Sequence, residues 1–383
     1  MIFIVDGNSM MNTVFCASLY TASESDLSRP FYQVSGNYVI KDSAEKFYRE
    51  SIIKYLVSSM YGMNNIEKVY FAIDSKSWRK AFYKKYANTF SSRPDYNVYQ
   101  NGYKGQRKID SPEKEQVLEL IRYCSNNVIT ALNKIPGFVS VSMKGLEGDD
   151  IVAHLTERFK DKEVVVWTND SDMHQILRPN VYIVGPTDKK TMARKLFVSE
   201  DFNTQAPAQT TGKLNFQLLN EGNNAKNTIT DLISVGHYTE NKVNPVYEVF
   251  TKILCGDKQS DNIPAVFSYN KEGKVINVTR ARVSDKIYSD LKSNLGYTDA
   301  DIISKIDSID AGFIDYVAGK ICQIMSVDIL NKDVISKGIS FNIHIIRLCD
   351  NCIPKIFTEY VDTVVDSRIN ENFDMNELKK YLE

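Results

Sequence analysis

Four short apolar runs in the first half of the chain each lead into acidic residues. Residues 2–5 (Ile-Phe-Ile-Val) run into Asp6, and residues 69–73 (Val-Tyr-Phe-Ala-Ile) into Asp74. Residues 138–142 are followed by Glu147, Asp149 and Asp150, and residues 163–167 by Asp170 and Asp172. Helical spacing lies between them: 44–60 behind Ser43, a long segment from Pro112 to about Ile135 capped by Ser111, and shorter ones near 149–159 and 172–177. A further strand is expected at 181–184. Strands alternating with helices predict an α/β fold, a mostly parallel sheet flanked by helices. The carboxyl ends of parallel strands share one edge, where open α/β sheets bind ligands. Seven carboxylates are therefore expected to converge there. Each one alone reads equally well as a turn residue or a helix cap; their conjunction at one edge carries the argument. Such a cluster repels itself without cations. A donor set of oxygens alone, with no Cys or His, favours Mg²⁺ or Mn²⁺ over zinc.

Lys plus Arg number 47 and Asp plus Glu 48, for a net charge of −1, so a polyanion site has to be local. One segment supplies it. Lys76, Arg79, Lys80, Lys84, Lys85, Arg93, Lys104, Arg107 and Lys108 face a single acid, Asp95, giving +8 over 76–108. Trp78, Phe82, Tyr83, Tyr86, Phe90, Tyr96, Tyr99 and Tyr103 interleave with them. Cations track phosphates and aromatic faces stack bases, so the segment is expected to form a cationic lid over the acids, clamping a single-stranded 5′ end. Six cysteines are too few for a disulfide scaffold. Cys349 and Cys352 form a C-x-x-C pair near His344 but lack the second pair a zinc site needs. No apolar run approaches the ~18 residues of a membrane span. The expectation is a soluble cytoplasmic chain with reduced thiols and no membrane partner.

Residues 201–245 are rich in Asn, Gln, Thr and Gly and read as a polar insertion or linker. It divides the chain into a catalytic domain (1–200) and a helical C-terminal domain (246–383). Asn244-Pro245 starts a helix with Val246, Val249, Phe250, Ile253 and Leu254 on one face, which Gly256 ends. The loop that follows carries Asp257 and Asp261 but not the ligand pattern of an EF-hand. A polar loop is expected at 268–280.

In order, Val5-Asp6-Gly7-Asn8, Ala72-Ile73-Asp74 with Trp78-Arg79, Tyr103-Lys104 through Arg107, Glu147-Gly148-Asp149-Asp150, Asp170-Ser171-Asp172-Met173-His174-Gln175, and Gly256-Asp257 through Asp261-Asn262-Ile263-Pro264 resemble the metal-dependent 5′ nucleases. That family includes flap endonucleases, the 5′ nuclease domain of bacterial DNA polymerase I and phage 5′ exonucleases. Phe250 to Leu254, Ile345 to Leu348 and Ile353-Pro354 are most similar to its T-even phage branch, whose members carry the name ribonuclease H. The resemblance implies a PIN-like, Rossmann-like nuclease core and two Mg²⁺ ions, with Mn²⁺ able to substitute. Asp6, Asp74, Glu147, Asp149 and Asp150 would hold the first ion, and Asp170, Asp172, Asp257 and Asp261 the second. It places Arg79, Lys104 and Arg107 beside the scissile phosphate. Trp78, Lys80, Lys84, Lys85, Tyr103, Lys108, Lys258 and Asn262 would contact nucleic acid, and residues 256–266 would open a helix–three-turn–helix element gripping duplex.

The implied activity is 5′–3′ exonuclease or flap endonuclease hydrolysis leaving a 5′-phosphate, removing RNA primers or 5′ flaps in phage DNA replication inside the host cytoplasm. Implied partners are DNA and RNA–DNA duplexes with 5′ ends or flaps, and a single-stranded-DNA-binding protein or sliding clamp; the chain would act as a monomer. Three departures stand out. The gap from Arg79 to Tyr103 is longer than usual, three residues separate Asp257 from Asp261 where two are usual, and Ala265 replaces a glycine. The rival readings are a PIN-type endoribonuclease and a catalytically silent DNA-binding protein. An aspartyl-phosphate phosphatase would want D-x-D after the first strand, and Asp6-Gly7-Asn8 does not supply it.

Overall fold

The acid-tipped runs become neighbouring strands of one sheet in the computed structural model, which describes residues 1–20, 31–34, 37–40, 43–60, 63, 66–105, 112–187, 194–200, 238–271, 274–277, 281–326 and 328–380. Its strands are β1 (Ile2–Asp6), β2 (Phe31–Val34), β3 (Asn37–Ile40), β4 (Lys68–Ala72), β5 (Phe138–Val141), β6 (Val164–Trp167), β7 (Val181–Thr187), β8 (Arg194–Ser199), β9 (Tyr238–Val243), β10 (Ser268–Lys271) and β11 (Lys274–Asn277). Seven of them form the main sheet in the order β5-β4-β1-β6-β7-β8-β9. The five from β5 to β7 run parallel, β8 is antiparallel to β7, and β9 is parallel to β8. The mostly parallel sheet expected from the sequence is therefore present, extended by a pair the sequence did not announce. Residues 201–237 lie outside the described residues; 238–243 of the same polar stretch are β9.

The helices are α1 (Gly7–Tyr20), α2 (Ala44–Ser59), α3 (Arg79–Tyr86), α4 (Tyr96–Asn101), α5 (Pro112–Leu132), α6 (Gly148–Arg158), α7 (Pro245–Cys255), α8 (Ala281–Ser293), α9 (Asp299–Asp307), α10 (Ala311–Met325), α11 (Lys332–Ile346), α12 (Lys355–Ser367) and α13 (Met375–Lys379). Strand residues alternate between faces. Phe3, Val5, Phe71, Val165 and Trp167 pack on the side of α1, α2 and α5, with Phe15, Tyr48, Ile52 and Leu132. Ile2, Ile4, Tyr70 and Val166 face the other way, against Ile151 and Leu155 of α6 and Val361 and Val365 of α12. Both faces are covered, which is why the central strands read as unbroken apolar runs.

A second core joins α7, α8, α10 and α11 to the segment that follows β4. Here the structure corrects the expected lid. Tyr83, Phe90, Tyr99 and Tyr103 are buried with Phe250, Ile287 and Phe341, so these aromatics stack on one another and not on bases. Arg93 is buried too. Its Nε and Nη2 donate to the two carboxylate oxygens of Asp95 (2.8 and 2.9 Å), and its guanidinium also reaches the carbonyls of Val266 (2.6 Å) and Ala265 (2.7 Å). Lys76, Lys80, Lys84 and Lys85 remain exposed. Arg107 and Lys108 lie outside the described residues.

Between α7 and α8 stand a turn closed by a bridge between Asp257 and Ile263 and the β10–β11 hairpin, not two helices joined by turns alone. Gly256 starts that turn at φ 70°, and a Cβ there would sit 2.4 Å from the Pro264 carbonyl carbon. The chain then returns to the sheet. Arg368 donates to the carbonyls of Asn133 (2.9 Å), Ile135 (3.2 Å) and Phe138 (2.6 Å), closing the end of α5. Leu378 of α13 is fully buried in the first core, a contribution of about 1.5–3 kcal/mol.

Candidate active site

Asp6 ends the central strand, where α1 starts at the next residue. Its Oδ1 accepts from the Ser9 amide (3.0 Å) and its Oδ2 from the Thr168 hydroxyl (2.8 Å), so β1, α1 and β6 fix it together. Asp74 follows β4. Its amide donates to Asn8 Oδ1 (3.3 Å), and its own Oδ1 accepts from the Gly148 amide (2.5 Å) at the start of α6. Glu147 is the N-cap of α6 and Asp150 completes a capping box with it, so the positive end of that helix opens on the cleft. Asp149 lies in the same first turn. Asp170 caps the 3₁₀ turn Ser171–Ile176, its Oδ1 accepting from the Asp172 amide (2.9 Å). Asp6, Asp74, Asp149 and Asp170 thus meet at one edge, and none of the four forms an ion pair with a lysine or arginine among the described residues.

Their acidities follow. Burial lifts Asp6 to about 6, with the charges of Asp74 and Asp170 adding to it against two hydrogen bonds. Burial, then the charges of Asp6, Asp170 and Asp74, push Asp149 well above the usual carboxylate range. Desolvation raises Asp74 as well, opposed by the Gly148 amide and Lys104. Glu147 behaves oppositely. Burial would raise it, but Lys104 and Arg79 outweigh that and hold it at about 2. Lys104 Nζ donates to Glu147 Oε1 (2.5 Å), and Ser77, Arg79 and Tyr103 donate to Oε2 at 2.7, 3.1 and 3.2 Å.

Several sequence expectations shift once side chains are seen. Arg79, expected beside a phosphate, is 1% exposed. Its Nη1 and Nη2 grip Asp150 (2.8 and 2.6 Å), and its Nε donates to the Ile345 carbonyl (2.8 Å). Asp150, expected on a metal, has no exposed surface and also accepts from the Trp78 indole (3.1 Å). Arg79, Asp150 and Trp78 therefore form a strut behind the cleft that ties α3 and α6 to α11. Tyr103 is held inside by Glu147 and Asp261 (3.3 Å). Asn262, expected on nucleic acid, is fully buried and donates to the carbonyls of Val98 and Gly102, both at 2.8 Å. Lys104 and Asn262 both take left-handed backbone (φ 56° and 59°), and the Lys104 amide donates to the Asp261 carbonyl (2.8 Å). These contacts lock the basic segment to the 257–263 turn. Lys258 is exposed on that turn.

The second group of acids has its own cation. Lys252 of α7 bonds Asp172 Oδ2 and lies 3.0 Å from Asp257 Oδ2. Nothing in the sequence marks Lys252, which is one more lysine on an amphipathic helix. Gln175 is the other residue whose role was not read. Its amide donates to the carbonyls of Asp172 (3.0 Å) and Ile346 (3.2 Å), and its Oε1 accepts from the Leu348 amide (2.8 Å), bracing the 3₁₀ turn against the end of α11. It sits inside the Asp170–Gln175 motif, which was its one available signal.

Among the described residues no three carboxylate, histidine or cysteine side chains form a ready-made cage for one ion. Glu147, Asp149, Asp172 and Asp261 line a crevice of about 20 Å³ together with Arg79, Tyr103 and Lys252, space for about one water. The donors here are carboxylate oxygens, which fit a hard divalent cation, and the charge of such an ion would draw their raised pKa values back down.

An open α/β sheet with an acidic cleft at its carboxyl edge is compatible with the resolvase-like class of nuclease folds. The sequence profile of the 5′–3′ exonuclease N-terminal resolvase-like domain matches residues 1–203, and the chain belongs to that family. Curated relatives include a 5′–3′ exonuclease of Mycoplasmopsis pulmonis (strain UAB CTIP), 24% identical over 176 residues that cover 43% of this chain and 51% of that protein. A 5′–3′ exonuclease of Aquifex aeolicus (strain VF5) is 28% identical over 101 residues, 26% of this chain and 32% of that protein. The chain thus spans about half or less of the curated relatives it matches. Similar solved structures include the T5 5′-exonuclease with divalent zinc ions bound, at TM-score 0.52 and 14% identity, covering 96% of this chain and 98% of that one. Another is a bacteriophage T5 flap endonuclease with DNA and metal ions, at TM-score 0.50 and 13% identity, covering 96% and 99%. These two likenesses concern the fold.

Proposed function

We propose that this chain is a structure-specific 5′ nuclease that hydrolyses phosphodiesters at 5′ ends or flaps with two bound Mg²⁺ ions. The observation that carries the reading is the set Asp6, Asp74, Asp149 and Asp170, gathered in one cleft and forming no ion pair with a lysine or arginine among the described residues. Divalent ions held there supply the chemistry of an activated water and a polarised phosphate. Asp6, Asp74 and Asp149 hold the first ion. Asp170 and Asp172 place the second, once Lys252 yields Asp172. Lys104, held in place by Glu147, sets a positive charge beside the phosphate oxygens, where charge develops in the transition state. The exposed Lys76, Lys80, Lys84, Lys85 and Lys258 are the contacts for the nucleic-acid backbone. Residues 1–200 carry the chemistry, and the helical part from 246 onward supports the turn that meets duplex.

The DNA and metal ions bound to a T5 flap endonuclease of similar fold, and the 5′–3′ exonuclease identity of the curated relatives, support this reading. Its natural setting is removal of RNA primers or 5′ flaps in phage replication. The test is a panel of 5′-labelled flap, nicked and RNA-primed duplexes run with Mg²⁺ and with chelator. Metal-dependent release of 5′-phosphate products from flap or primer substrates is expected. Binding without cleavage would leave a silent DNA-binding protein, and cleavage of single-stranded RNA alone would favour an endoribonuclease.

A further inference from the structure

The C-x-x-C pair has no part in the nuclease reading, yet it occupies a structured turn between α11 and α12. The Cys352 amide donates to the Cys349 carbonyl (2.9 Å), closing a four-residue turn that keeps the two Cα atoms within about 7 Å. That is the span a disulfide needs. The two sulfurs already share a hydrogen bond at 3.4 Å. Their surroundings differ. Cys352 is buried, whereas Cys349 is partly open and lines a cavity of about 530 Å³ with Arg347, Asp307 and Asp350. Arg347 packs its buried guanidinium beside the pair, held by Asp307 (2.6 Å) and the Leu348 carbonyl (3.2 Å).

We propose that Cys349 and Cys352 form a thiol–disulfide exchange site for small-molecule disulfides such as oxidised glutathione, with Cys349 entering and Cys352 resolving. The Cys349 thiolate attacks one sulfur of the reagent, forming a mixed disulfide and expelling one thiolate. Cys352 gives its proton to that thiolate and attacks the Cys349 sulfur. The protein disulfide forms and the second thiolate leaves, taking the proton Cys349 had released. The protein loses two electrons and two protons, and the reagent gains both as two thiols. The division of roles follows access, since only Cys349 borders the cavity. The hydrogen bond shared with Cys352, then the Arg347 charge, pulls the Cys349 thiol below its usual value against burial, while the same hydrogen bond and burial push Cys352 up. The turn also lies against the supports of the acids: Leu348 holds Gln175, and Asp350 Oδ1 meets His154 Nδ1 of α6 at 2.8 Å.

The full chain is equilibrated in glutathione buffers from fully reduced to fully oxidised, acid-quenched, alkylated, digested with trypsin and read by mass spectrometry. The expected result is that the peptide 348–355 loses both alkylations together and carries no glutathione, while Cys255 and Cys322 stay alkylated at the same ratios. Cys352→Ser should trap glutathione on Cys349, and Cys349→Ser should slow the reaction of Cys352 at least about tenfold. Two alkylated thiols at every ratio would overturn the proposal. So would glutathione retained on Cys349 in the unsubstituted protein, or equal oxidation of Cys322.

Discussion

Glu147 and Asp149 stand two residues apart at the start of one helix, and their surroundings act on them with opposite sign. Glu147 meets Lys104 and Arg79 and is held at about 2. Asp149 meets Asp6, Asp170 and Asp74 and is pushed up. Among the described residues, ion pairs with lysine or arginine reach one half of the cleft and not the other, where Lys104 acts only through space. In the supplied half, Arg79, Lys104 and Lys252 satisfy Glu147, Asp150, Asp172 and Asp257, and the acids there act first as structure. In the unsupplied half the carboxylates repel one another, which lowers stability unless an external cation binds. A count of acids in the sequence does not separate the two halves; the positions of three basic side chains do.

Arg79→Met would break the supplied half most severely, leaving Asp150 buried and charged without a partner. A loss of about 3–5 kcal/mol is expected in chemical denaturation, and Arg79→Lys should rescue little of it because a lysine cannot reproduce the two-pronged grip. Asp149→Asn tests the unsupplied half. Flap cleavage should fall by more than about 100-fold, beyond what supporting residues around a metal usually cost. The same variant should melt higher than the parent in chelator, by the few degrees that ~1 kcal/mol of relieved repulsion gives. An unchanged melting temperature would remove the repulsion argument. Lys252→Met should convert part of the supplied half into the other kind, raising the affinity of the weaker Mn²⁺ by up to about tenfold in paramagnetic resonance titrations.

The smallest expected effect is on pH dependence. Asp6 holds its proton more tightly folded than unfolded, so between about 4 and about 6 its contribution lowers stability as pH rises. Glu147 works the other way: its contribution is complete above its ordinary value near 4.5 and is lost as pH falls toward about 2. Denaturation curves in chelator should show both slopes, and saturating Mg²⁺ should abolish the first and leave the second.

The central strands were legible because burial on both faces demands continuous apolar residues, and β1, β4 and β6 carry them. Helix α1 was not, because Gly7 follows Asp6 with no turn or cap residue to announce it. Strands β8 and β9 were hidden by polar sequence: Arg194, Lys195, Glu240 and Lys242 mask the alternation on an outer pair. At the site, the gathering of acids followed from topology alone. The duties of Arg79, Tyr99 and Asn262 did not, because a basic or aromatic residue looks the same in sequence whether it faces solvent or fills a core. That distinction is set by contacts with residues 160 or more positions away, such as Ile345 for Arg79 and the carbonyls of Val98 and Gly102 for Asn262.

The return of the chain to its first sheet has a consequence for synthesis. Strand β1 and Leu378 of α13 belong to one apolar core although they lie far apart in sequence, and Arg368 closes α5 from nearly as far along the chain. During translation the core around β1 therefore lacks these two contacts until residues 368–378 have been made.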